Sequence, residues 1–90
     1  MRTTNVPNLD AMGYDALVSF WYKHNRGKKY LELFPEGGRG TKNATKDLSA
    51  YAVNTASAMD YRRLGLIEGA QAYEAIAQRA YDRLPEWARW

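Results

Sequence analysis

Cysteine is absent from the 90 residues, and histidine occurs once, at His24. The first absence excludes a disulfide framework and thiolate chemistry. The two together exclude Cys–His nucleophilic sites, and a single histidine cannot build a histidine metal cluster. Proline is scarce, at Pro7, Pro35 and Pro85. Long apolar runs are missing too: no stretch reaches the roughly eighteen residues needed to span a membrane, and the opening Met1-Arg2-Thr3-Thr4-Asn5-Val6-Pro7 lacks the apolar core of a signal peptide. The expectation is a chain without metal, cofactor or membrane span, suited to a reducing cytoplasm.

Abundant alanine organises the rest. From Thr45 to Leu64, apolar or small residues recur at Leu48, Ala52, Thr55 or Ala56, and Met59, the three-and-four spacing that lines one side of a helix. Ile67, Ala70, Tyr73, Ala77, Ala80 and Leu84 repeat the device, and neither stretch contains proline. Between them, Arg62-Arg63-Leu64-Gly65 reads as a helix ending, with cations in the last turn and glycine for the left-handed cap. A connection this short forces an antiparallel pair, which Pro85 terminates. The spacing Gly65, Ile67, Ala70, Ala77 resembles the turn and second helix of a tetratricopeptide-type hairpin. The proline falls later than in that family and the repeat does not recur, so the resemblance implies helix packing and no peptide groove.

Upstream, residues 1–12 predict an extended arm anchored by Leu9 and Met12. Gly13 caps a helix over Tyr14 to Asn25, whose inner face is Leu17, Phe20 or Trp21, and His24. Lys28 to Phe34 reads as a short helix with Tyr30, Leu31 and Phe34 turned inward. Residues 35–44 form a glycine-rich basic loop, and residues 85–90 a tail whose Trp87 and Trp90 fold back or dock elsewhere. The chain is thus a single all-α domain: a small bundle of three main helices plus one short one, with residues 13–34, the loop, and a 45–84 hairpin as its parts. About 60–65% of the unfolded surface is buried at this length, enough for one modest core.

The net charge of +3 is unevenly spread. Tyr22 to Lys46 holds seven cations, Lys23, Arg26, Lys28, Lys29, Arg39, Lys42 and Lys46, against Glu32 and Glu36, a local balance of +5; the remainder carries −2. These cations stand beside Trp21, Tyr22 and Tyr30, the mixture that phosphate-tracking surfaces use and that interfaces with acidic proteins use equally. No helix-turn-helix, zinc-finger or RNA-binding motif accompanies them. Gly37-Gly38-Arg39-Gly40-Thr41-Lys42 has the wrong order for a P-loop and no strand before it. What survives is a helix start where Arg39, Lys42 and Lys46 could hold a phosphate, set against a plain solvated turn. Carboxylate pairs such as Asp60 with Glu68, or Glu74 with Asp82, have Arg62, Arg63, Arg79 and Arg83 close by to neutralise them.

Asn8 to Leu17 with Phe20-Trp21, and the ending Tyr81 to Trp90, resemble small proteins of tailed bacteriophages that have no assigned function. That resemblance implies expression in the cytoplasm of an infected host and a non-enzymatic role. The leading form is binding, inhibitory in one version, to a host or defence protein through the basic aromatic surface, with Tyr30, Trp87 and Trp90 as interface anchors. Two alternatives stand beside it: a nucleic-acid binder contacting phosphates through residues 22–46, and a minor virion or self-assembling component.

Overall fold

The computed structural model describes residues 5–26 and 29–90, Arg26 by its backbone alone. Four α-helices follow one another: α1 Tyr14–Trp21, α2 Tyr30–Leu33, α3 Thr41–Arg63 and α4 Ile67–Arg83, with 3₁₀ turns at Leu9–Ala11 and Glu86–Ala88 and no strand among the described residues. The all-α bundle with a central antiparallel hairpin is the fold the sequence predicts. No helix among the described residues is long and apolar enough to cross a membrane.

The hairpin turns where expected. Gly65 takes the left-handed conformation at φ 80°, and its amide donates to Arg62 O at 3.0 Å while the Leu66 amide reaches Tyr61 O at 2.9 Å, closing the last turn of α3. Pro85 follows an extended Leu84 that ends α4. The two helices pack closely, and the small side chains buried on them are alanines: Ala58, Ala70, Ala77 and Ala80, with Ala52 and Ala56 of α3 belonging to the core beside Leu17 and Phe20. Arg62 Nε donates to Glu74 Oε1 at 3.1 Å and Arg63 pairs with Asp60, so these acids serve as surface ion-pair partners across and along the hairpin.

α1, α2 and α4 all pack against α3. The larger side chains, Leu9, Leu17, Phe20, Leu33, Phe34, Leu48 and Leu84, form one core on the N-terminal half of the hairpin, and residues 5–8 run alongside α2, with the Asn5 amide donating to Leu33 O at 2.7 Å. The start of α1 reaches the C-terminal end of α3, where Tyr14 and Asp15 line a small concavity with Met59, Asp60 and Arg63. Met59 and Ile67, expected on the inner faces, are nonetheless exposed together with Leu64 and Leu66.

Three boundaries differ from expectation. α1 leaves α geometry after Trp21 and widens into a π turn over Tyr22–Arg26. Within this turn the His24 ring lies 4.6 Å from Phe20, and its Nδ1 reaches Lys29 O, five residues on, at 3.3 Å. The short helix begins at Tyr30, and its buried residues are Leu33 and Phe34, with Leu31 pointing outward; Lys28 lies outside the described residues. Finally, α3 starts at Thr41, a full turn before Thr45. Gly37, Gly38 and Gly40 all have positive φ, and the tight turn they allow brings Thr41 and Ala44 onto the buried face in line with Thr45 and Leu48.

The tail folds back. Trp90 donates from Nε1 to Asp10 Oδ2 at 2.9 Å, its carbonyl accepts from Tyr81 Oη at 2.8 Å, and its ring meets Tyr51 and Tyr81 edge-on. Tyr51 Oη also donates to the Asp10 carboxylate. Burial first, then this carboxylate, pushes the Tyr51 phenol up to about 12. The raised value means the clasp stabilises the fold fully below pH 10 and is lost as pH rises through about 12. In an alkaline absorbance titration one of the seven tyrosines should therefore ionise only near pH 12. Asp10→Asn should bring it part of the way back, and no change in that variant would refute the clasp.

At the tip, Gly69 sits against the Tyr61 ring: a Cβ there would lie 2.4 Å from Cδ2, and that ring is held edge-on to Tyr73 at 5.0 Å. Alanine gains about 1 kcal/mol in helix propensity, yet overpacking costs about 1–3 kcal/mol. Gly69→Ala should therefore lower the thermal midpoint by several degrees, whereas in a Tyr61→Ala background the same change should raise it.

Candidate functional site

The basic region separates into two groups in space. Lys23 Nζ lies 3.2 Å from Glu32 and Lys29 Nζ 3.9 Å from it, so one acid on α2 engages both cations. Lys23 is the foremost cause that holds the Glu32 carboxyl below its usual range. Beside this pair, a groove of about 500 Å³ runs between the N-terminal arm and α1, floored by Met12, Phe20 and Leu33.

The second group surrounds a cleft of about 400 Å³ lined by His24 and Asn25 from the π turn, Tyr30 from α2, and Lys42, Asn43, Thr45 and Lys46 from α3. Lys42 and Lys46 stand one helical turn apart on one face, both exposed and without an ion pair among the described residues. They are in position because α3 begins early; had the helix started at Thr45, Lys42 would lie in the loop. The first turn of α3 adds donors. The Thr41 amide is bound to Gly38 O at 3.3 Å and that of Ala44 to Gly40 O at 2.8 Å, which leaves the amides of Lys42 and Asn43 open among the described residues. At the positive end of a 23-residue helix these donors and cations favour a negative guest.

His24 forms the back wall and is only 6% exposed. Burial, the largest cause, lowers its pKa below 6.5, seconded by Lys23 and opposed by the Lys29 carbonyl and Glu32. With Nδ1 donating to Lys29 O, the neutral ring leaves Nε2 unprotonated as an acceptor, and the side chain lines both this cleft and the groove beside the N-terminal arm. Thr41 Oγ1, at the first residue of α3, is buried and without a partner among the described residues.

The other expected residues fall elsewhere. Trp21 is half-buried against the core and meets Tyr22 with ring centroids 4.6 Å apart. Arg39 is exposed in the loop. The side chain of Arg26 and the whole of Lys28 lie outside the described residues. Trp87 stands 44% exposed with its ring edge-on to Phe34 at 5.0 Å, while Trp90 is held in the Asp10 clasp. Sequence reasoning missed Asn25, Asn43, Thr45 and His24 as a set. The i, i+4 spacing of Lys42 and Lys46 was the available signal, hidden by assigning Lys42 to a loop. Among the described residues no cluster of three or more His, Asp or Glu is placed to hold a metal ion.

Fold and cleft together define a small helical bundle with a basic cleft at the start of its longest helix. Comparison of the chain with protein-family models, curated proteins and solved structures finds no match.

The fold resists protonating His24, so its contribution to stability is intact above the ordinary value of 6.5 and is lost progressively as pH falls below that toward the lower folded-state value. Thermal midpoints should drop between about pH 7.5 and 5.5. In His24→Gln, which lacks the only histidine, the slope over that window should flatten; an unchanged slope would show that His24 is not buried neutral.

Proposed function

We propose that the protein is a non-enzymatic binding module that holds an acidic protein partner on the cleft between the π turn, α2 and α3. The observation that carries this reading is the convergence on one concavity of two lysines without an ion pair among the described residues, open helix amides and a tyrosine, with His24, Tyr30, Lys42 and Lys46 coming from three segments. Electrostatic attraction at such a face speeds association and makes it salt-sensitive, while an exposed aromatic such as Trp87 supplies apolar contact area. The resemblance to small tailed-phage proteins favours a host or defence protein as that partner.

Nucleic acid is the weaker reading, for a reason the ion pairs give. Affinity for a phosphate backbone accumulates over many free cations. Here Glu32 engages Lys23 and Lys29, leaving Arg39, Lys42 and Lys46 as the described cations of the region without an ion pair among the described residues. Among the described residues these three make a short track.

Polyglutamate and single-stranded and duplex oligonucleotides should be titrated against the full chain over a salt series. Polyglutamate should bind at low salt and weaken as salt rises, with Lys42→Glu plus Lys46→Glu costing about tenfold or more in affinity, ~1.4 kcal/mol. Tighter binding of the oligonucleotides, or no loss in the double variant, would overturn the assignment.

A further inference from the structure

The far end of the hairpin is a second surface, unlike the cleft in every respect. Around the Gly65 turn, Leu64, Leu66 and Ile67 are 62%, 53% and 46% exposed. Met59, near the end of α3, is exposed as well, and Tyr14 from the start of α1 stands open beside it. The chain buries Leu17, Leu33, Leu48 and Leu84 elsewhere, so apolar side chains gathered in water at one end mark a place of contact.

The charges around them select the kind of partner. Arg62 and Arg63 stand with Asp15, Asp60, Glu68 and Glu74, a balance of −2 on a chain whose net charge is +3. Both arginines are engaged, Arg62 by Glu74 and Arg63 by Asp60. Asp15 and Glu68 are exposed and have no ion pair among the described residues. An anionic lipid surface would meet like charge here, and so would the same tip of a second copy. A cationic segment meets two open acids.

The concavity of about 250 Å³ lined by Tyr14, Asp15, Met59, Asp60 and Arg63 gives such a segment a seat. Lysine and arginine lay their aliphatic stems along apolar surface and keep the charged head in a polar setting. Here Met59 and Tyr14 offer the apolar wall and Asp15 the free carboxylate. We propose that the hairpin tip docks a basic protein segment with apolar anchors: a lysine or arginine enters this concavity against Asp15, and aliphatic side chains cover Leu64, Leu66 and Ile67. The surface is independent of the cleft, since α3 lies between the two and they attract opposite charge.

The test is an amide NMR titration of the isotope-labelled full chain with three designed peptides of one length, built from lysine and leucine, lysine and serine, or glutamate and leucine. The lysine-leucine peptide should shift the Asp15, Leu64, Leu66 and Ile67 amides saturably, and the lysine-serine peptide should bind about tenfold or more weakly. Asp15→Asn plus Glu68→Gln should cost about tenfold as well, while Lys42→Glu plus Lys46→Glu leaves the tip shifts unchanged. Leu66→Ser, at the N-cap of α4 where serine is favoured, should keep the fold and weaken the leucine peptide alone. Equal binding of the serine peptide would overturn the docking surface. Binding of the glutamate-leucine peptide at the tip, or tighter association with phosphatidylserine vesicles, would overturn the basic partner. Concentration-dependent shifts of the same amides without any peptide would assign the tip to a second copy and overturn it equally.

Discussion

Everything in this molecule depends on the close approach of α3 and α4 across alanine. With Ala58, Ala70, Ala77 and Ala80 buried on the two arms, the hairpin gains contact from backbone proximity, not from large side chains. That leaves the large residues free to gather where α1, α2 and the tail pack onto α3. The 23 residues of α3, about 34 Å of helix, run along most of the 42 Å length of the molecule. One helix is thus the common wall of the seam, the core and the cleft.

The parts of the fold that were legible in the sequence are those fixed by local rules. Periodic alanines, the Gly65 cap and the Pro85 stop declare a helical hairpin without reference to anything distant. Residues set by tertiary contact were not legible. Leu31 and Leu33 are equally apolar and two positions apart, and which one is buried depends on where α2 meets the arm and α3. His24 could be expected at an inner edge, but its bond to the Lys29 carbonyl has no counterpart in spacing. The loop was misread for a related reason. Three left-handed glycines looked like slack between halves, whereas they make a turn tight enough to start α3 one turn sooner.

That early start decides the electrostatics. A count over Tyr22 to Lys46 gives a single basic region, yet charge acts through distance, and the fold divides it. Glu32, carried by the short α2, sits between Lys23 and Lys29 and absorbs the side nearest the arm. The opposite side receives Lys42 and Lys46 on a helix start with no acid among its cleft neighbours. The charged residues were legible in the sequence and their pairing was not, because the contact of Lys23 with Glu32 joins the π turn to α2.

The buried hydroxyls of α3 show how the cleft and the core are connected. Thr41, Thr45 and Ser49 follow at intervals of four, so they stack along one stripe from the helix start into the interior, each less than 5% exposed. Alanine would fill the same positions with better helix propensity and no polar atom to satisfy. Thr45 answers that objection by bonding back to Thr41 O at 3.1 Å. Ser49 does not, and its orphan oxygen lies two turns into the helix, where its burial is a plain cost to stability. Thr41 stands at the helix start among open amides and beside the lysines. Thr41 does not line the cleft, though, so its orphan hydroxyl is carried on the buried face like that of Ser49, and of the three hydroxyls on the stripe Thr45 alone both lines the cleft and is satisfied.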